Sequence, residues 1–146
     1  MALNPIDRRS KIVLGVDDDE SNVQLLSSLI ENAGFTFMGA SSGSECLSLL
    51  SRVQPRLILL DIEMAPGIDG FETCRRLREG PRLKSVPIVF LTGRKTGEDV
   101  KKCLKVGGND FIVKPFDPVK LIDRVEYWLG RRLVSSDTRL ERQLDE

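Results

Sequence analysis

The stretch Leu57-Ile58-Leu59-Leu60-Asp61-Ile62-Glu63-Met64-Ala65-Pro66-Gly67-Ile68-Asp69-Gly70-Phe71-Glu72 decides the fold. Its first four residues form a continuous apolar run, the pattern of a strand buried on both faces. An acid ends the run, and a loop rich in Pro, Gly and Asp follows. Phe71, Cys74 and Leu77 then recur at helical spacing. Strand, polar terminus, loop and helix follow one another in the order of a β-α unit.

The same order repeats on either side. Apolar, partly β-branched runs at Ile12 to Val16, Phe35 to Gly39, Val86 to Leu91 and Phe111 to Val113 predict further buried strands. Helical spacing joins Val23, Leu26, Ile30 and Ala33; Cys46 or Leu47 with Leu50 and Val53; Val100, Cys103 and Leu104; and Leu121, Val125, Trp128 and Leu129. Asp117 before Pro118 is an N-cap with proline at the first helical position, while Gly34 and Gly107 stand where helices should stop. A β-α alternation repeated five times predicts an α/β fold, a doubly wound parallel sheet with helices on both faces. One domain over residues 11–130 accounts for it. Residues 1–10 are an N-terminal extension, and residues 131–146 are a polar tail or a frayed extension of the last helix.

Bulk properties narrow the chemistry. The 146 residues suit one domain with a full core. Lys plus Arg and Asp plus Glu both number 22, so no long-range field favours nucleic acid or an anionic membrane. No apolar run approaches the ~20 residues that cross a bilayer, and Met1 to Lys11 lacks the apolar core of a leader, so a cytoplasmic, unprocessed chain is expected. Cys46, Cys74 and Cys103 are odd in number and fall on apolar helical stripes, which suits free core thiols better than disulfides or a metal cluster. Histidine is absent, which removes Ser-His-Asp and Cys-His catalysis and the commonest metal ligand.

In an open parallel sheet, ligands bind beyond the carboxyl ends of the strands. Asp17 and Asp18 follow the first strand, Asp61 the third, Thr92 ends the fourth and Lys114 the fifth. Any one of these acids alone would be read as a helix cap or turn former. Together, carboxylates on adjacent strand ends repel by roughly 4 kcal/mol per close pair at an effective dielectric near 20, so they require a cation or protons. An oxygen-only cluster suits a hard ion such as Mg²⁺, which completes its shell with water and phosphate oxygens. A carboxylate can itself be the phosphoryl acceptor when metal and a fixed cation neutralise the developing charge. Asp61, Lys114 and Thr92 supply that set.

The segments KIVLGVDDDE (11–20), LILLDIEMAPGIDGFE (57–72), VPIVFLTG (86–93) and GGNDFIVKPF (107–116) closely resemble the receiver domains of two-component response regulators, the CheY-like superfamily. The resemblance covers about residues 10–130. It implies a flavodoxin-like strand order 2-1-3-4-5. Asp61 is implied as phosphoacceptor, Asp18 as the acid that binds Mg²⁺ directly, Asp17 as acting mainly through water, and Glu63 as a metal ligand through its backbone carbonyl. Thr92 is implied as the switch hydroxyl, Phe111 as the aromatic that moves with it, and Lys114 as the phosphate-pairing lysine, its bond to Pro115 cis. Asp19 is left as a loop or helix-capping acid. The loop from Asp61 to Gly70 is one residue longer than the pattern it resembles, with Ala65 as the insertion. The positions two after Asp61 and Thr92 are Glu63 and Arg94, from which an ion pair covering the phosphoryl group is expected.

The implied protein is a signalling domain and not an enzyme, promoting only its own phosphotransfer and autodephosphorylation. With no histidine here, the donor is a histidine kinase or histidine phosphotransfer protein on another molecule or chain. The output is a downstream protein or an output domain on another chain, read through the face of the fourth helix, fifth strand and fifth helix. A phosphorylation-dependent dimer is possible, and neither nucleic acid nor membrane is a partner. Two alternatives stand beside this reading. One is a receiver-like interaction module that never takes phosphate, though none of the required acids, Thr or Lys is missing. The other is an aspartate-nucleophile phosphatase using Asp17-Asp18-Asp19, which leaves Asp61 without a role. A P-loop nucleotide binder lacks its Gly-x-x-x-x-Gly-Lys run.

Overall fold

The computed structural model of the chain describes residues 5–93 and 96–130. Strands β1 (Ile12–Val16), β2 (Thr36–Ala40), β3 (Leu57–Asp61), β4 (Ile88–Thr92) and β5 (Asp110–Val113) form one five-stranded sheet in the order β2-β1-β3-β4-β5, and every pairing is parallel. The helices are α1 (Pro5–Ser10), α2 (Glu20–Asn32), α3 (Gly43–Leu49), α4 (Gly70–Glu79), α5 (Gly97–Lys105) and α6 (Pro118–Leu129), with a short 3₁₀ turn at Pro81–Leu83. The fourth and fifth helices expected from the sequence are therefore α5 and α6.

Period-two alternation along the strands builds two cores. Val13, Leu57, Leu59, Val89 and Leu91 face α2 and α6, where they bury Leu26, Ile30, Leu121, Val125 and Trp128. Leu14, Val16, Ile58, Leu60, Ile88 and Phe90 face α3, α4 and α5, where Cys46, Cys74, Leu77, Val100 and Cys103 are buried. The three thiols are free and buried, as expected of core cysteines. Among the described residues, no helix is long and apolar enough to cross a membrane.

Local chemistry explains where the element boundaries differ from the sequence reading. Gly34 takes φ +93° and the Phe35 N–H donates back to Ile30 O at 3.2 Å, so Phe35 closes α2 and β2 begins at Thr36. Gly107, at φ +99°, ends α5 in the same way, with Gly108 N–H donating to Cys103 O. Proline has no N–H to give a ladder, and β4 begins after Pro87. Helix α3 stops at Leu49, short of the expected reach to Val53.

The N-terminal extension contains a helix that the sequence reading did not anticipate. Arg8 on α1 donates to Ala33 O at 2.9 Å and to Glu126 Oε2 of α6 at 2.7 Å, and its guanidinium lies 4.8 Å from the Phe35 ring centroid. These contacts fasten α1 to the α2–β2 junction and to α6. The expected polar tail at 131–146 lies outside the described residues.

Candidate functional site

Four strands end at one rim, and each brings a polar group there. Asp17 follows β1 with its N–H donating to Ala40 O at 3.1 Å, which fixes its backbone to the end of β2. Its carboxylate is 1% exposed; Oδ1 accepts from Asp19 N–H at 2.9 Å and Oδ2 accepts from Lys114 Nζ at 2.8 Å. Asp61 ends β3, buried, with Oδ1 3.1 Å from the same Nζ. Asp18 is exposed at the mouth. Carboxylate oxygens of Asp17, Asp18 and Asp61 all lie within 4.8 Å of one another. Asp19 is the N-cap of α2 and accepts from Ser21 N–H, so the register that assigns Asp17 and Asp18 to the cluster is the one seen.

Thr92 ends β4, buried, and its carbonyl accepts from Lys114 N–H at 2.7 Å, which ties the ends of β4 and β5 together. A cleft of about 260 Å³ is lined by Asp17, Asp18, Asp61, Glu63, Thr92 and Lys114, together with Asp19, Asn22 and Gly93. The rim thus gathers most of the residues expected of it. Glu63 is exposed at its edge. Phe111 stands apart, its ring buried beneath the rim with Phe90 and Val100. The expected pairing of Glu63 with Arg94 falls on a residue outside the described ones. The Lys114–Pro115 bond is cis, as the resemblance implies, and Ala65–Pro66 in the loop after Asp61 is cis as well.

Burial raises the Asp61 carboxyl to about 6; the Lys114 hydrogen bond pulls the other way, and the charges of Asp17 and Asp18 add to the rise. Burial also works against the Lys114 ammonium, but its bonds to Asp17 and Asp61 outweigh this and hold its pKa above the ordinary lysine value. Burial first, and the neighbouring carboxylates second, thus make Asp61 reluctant to ionise even with the Lys114 ammonium beside it. The donor set, three carboxylates with no imidazole in the chain, fits a hard divalent cation such as Mg²⁺.

Two features of the site were not visible in the sequence. Gly70, the first residue of α4, packs on the backbone of Asp61 so closely that a Cβ there would lie 2.2 Å from the Asp61 carbonyl oxygen. Gly70 N–H donates to Ile62 O at 2.8 Å, which closes the loop between β3 and α4 at its base. The second feature is a groove of about 820 Å³ that continues from Asp18 and Thr92 between this loop and α5, where Lys102 sits 4.6 Å from the Phe71 ring centroid. Lys102 carries no local sequence signal that would place it beside Phe71.

Comparison with known proteins agrees with this architecture. A family model described as the response regulator receiver domain matches residues 13–126. The response regulator PleD of Caulobacter vibrioides is 36% identical over 127 residues, a match that covers 87% of this chain and 28% of PleD. The chain thus spans less than a third of that relative's length. Among solved structures, the chemotaxis protein CheY4 of Vibrio cholerae superposes with a TM-score of 0.78 at 31% identity, covering 80% of this chain and 97% of that one. The receiver domain of a Pseudomonas aeruginosa sensor histidine kinase, solved with a magnesium ion coordinated in its active-site cleft, superposes at 0.76 and 26% identity, covering 83% and 98%.

Proposed function

This chain belongs to the response regulator receiver domain family, and on that premise we propose that it is a phospho-receiver that takes a phosphoryl group on Asp61 from a partner phosphohistidine. The observation that carries the proposal is the Lys114 ammonium held between buried Asp17 and Asp61, with Asp18 and Thr92 in the same cleft. A carboxylate oxygen of Asp61 attacks phosphorus, the P–N bond of the donor breaks, and the imidazole leaves. With a pKa near 6, Asp61 is mostly ionised at neutral pH and able to attack.

Mg²⁺ fits the donor set; Asp18, Asp61 and the backbone carbonyl of Glu63 would hold it, with Asp17 acting through water. When bound, it neutralises the charge that gathers on the transferred phosphoryl oxygens. The chain's own residues do the rest. Lys114 pairs with the phosphoryl group, and the Thr92 hydroxyl donates to one of its oxygens. The group adds a charge of about −1.5 to −2, which draws Thr92 and shifts Phe111 from its inward position, biasing a two-state equilibrium at the face of α5, β5 and α6.

Residues 1–146 contain no histidine, so the donor in this reading is a histidine kinase or phosphotransfer domain outside this stretch. The altered face then meets a downstream protein, an output domain, or a second copy. Residues 11–130 form the receiver unit, with 1–10 and 131–146 as extensions. A cytoplasmic location goes with this reading, since buried free thiols such as Cys46, Cys74 and Cys103 persist in a reducing compartment. The test is incubation with acetyl phosphate and Mg²⁺, followed by borohydride reduction of the acyl phosphate and peptide mass mapping. Reduction product at Asp61 supports the reading, and product only at other acids refutes it.

A further inference from the structure

Buried beneath the β5–α6 junction is a polar network that the phosphoacceptor site does not use. Asp110, the first residue of β5, is 0% exposed. Its Oδ1 accepts from Phe111 N–H at 2.9 Å and from Arg124 Nη1 at 2.7 Å. Its Oδ2 accepts from Trp128 Nε1 at 2.9 Å and from the same Arg124 Nη1 at 2.7 Å. Arg124 Nη1 also lies 3.4 Å from Phe111 O, so both backbone polar groups of Phe111 touch the network.

We propose that Asp110, through Arg124 and Trp128, is the positioning residue that carries displacement of Phe111 to helix α6. The proposal rests on the phospho-receiver reading and specifies how its output face is reached. Adjacent strand residues point to opposite faces. The Phe111 ring packs with Phe90, Val100 and Cys103 on the α5 side, whereas the Asp110 carboxylate meets Trp128 on the α6 side. A backbone shift at this pair is therefore felt on both faces of the sheet.

The energetics make the coupling obligatory. A buried carboxylate separated from its cation and donors is strongly disfavoured, and the penalty falls on Arg124 as well. If β5 moves, the low-energy response is for Arg124 and Trp128 to follow and keep Asp110 satisfied. Both belong to α6, one turn apart, so the helix moves as a unit. β5 is an edge strand paired only with β4, which leaves it the freedom to shift.

Trp128 is the chain's single tryptophan, so its indole N–H is an unambiguous reporter. The experiment follows this resonance, the Phe111 amide and the α6 amides by ¹H–¹⁵N NMR as beryllofluoride and Mg²⁺ are added. It is run in the parent, in Asp110→Asn/Arg124→Gln, which removes both charges together, and in Arg124→Lys, which keeps the ion pair. In the parent, Phe111, the Trp128 indole and the α6 amides shift together. In the neutral pair the Phe111 shift persists while the Trp128 and α6 shifts are lost, and Arg124→Lys retains them. A Phe111 shift with a silent Trp128 in the parent overturns the coupling alone. So does a full α6 response in the neutral pair, or loss of the response in Arg124→Lys. No response at Phe111 or anywhere around Asp61 in the parent overturns the phospho-receiver reading, and the coupling with it.

Discussion

Lys114 Nζ stands between two buried carboxylates, 2.8 Å from Asp17 Oδ2 and 3.1 Å from Asp61 Oδ1. It is the cation that lets both acids remain at the strand ends. Replacing it by Met leaves them facing each other, and breaking a buried pair in this way costs about 3–5 kcal/mol in full burial. The rim is partly open to water, so we expect about 2 kcal/mol at pH 7 from urea unfolding, with acetyl phosphate labelling slowed roughly tenfold to a hundredfold.

The raised Asp61 carboxyl gives stability a definite pH dependence. Its folded value is about 6 against an ordinary 3.8. Between these values the folded protein holds a proton that the unfolded chain has lost, so stability falls as pH rises through this window and levels off above it. Asp61→Asn removes this dependence. Without divalent cation, the variant should be more stable than the parent at pH 7 by about 1 kcal/mol after discounting for solvent at the open cleft, and equal to it near pH 4. Mg²⁺ should stabilise the parent more at pH 7 than at pH 5, because metal and proton compete for the same carboxylate. Urea titrations at both pH values read out each difference.

Gly70 holds Asp61 in place by having no side chain. A Cβ would meet Asp61 O at 2.2 Å and Ile62 Cα at 2.8 Å, both backbone atoms that have no rotamer to yield. Gly70→Ala should cost about 2–3 kcal/mol by overpacking, while reducing the labelling rate of the fraction that remains folded. Unchanged thermal stability and labelling would show that the loop relaxes at no cost.

Arg78 is a structural cation remote from the cleft. Its guanidinium donates to the carbonyls of Leu83, Val86 and Gly107 and to Asn109 Oδ1, joining α4 to the loops before β4 and β5. Arg78→Met strands these acceptors and should cost about 2–4 kcal/mol in urea unfolding. Labelling of the folded protein should match the parent, which separates this role from that of Lys114.

The residues that could be read from sequence are those governed by local rules. Asp17, Asp61, Thr92 and Lys114 each end an apolar run, and a parallel sheet brings such ends to one rim. Asp117 before Pro118 and the helix-ending Gly34 and Gly107 are signals a few residues long, and the structure shows each in that role. What escaped the reading depends on contacts distant in sequence. Helix α1 is 6 residues long, too short to show periodicity, and its anchor Arg8 finds partners at Ala33, Phe35 and Glu126. Asp110 would pass for a turn residue in Gly-Gly-Asn-Asp, and only Arg124 and Trp128 reveal why an acid is tolerated there. The close approach of Gly70 to Asp61 depends on how α4 meets β3, which no periodicity encodes.

The central claim is that Asp61 accepts the phosphoryl group, and intact-mass spectrometry of the parent and Asp61→Asn, each incubated with acetyl phosphate and Mg²⁺, tests it most directly. The account predicts addition of a single phosphoryl group to the parent, lost when the metal is chelated, and none on the Asn variant. Equal addition to both proteins would contradict it.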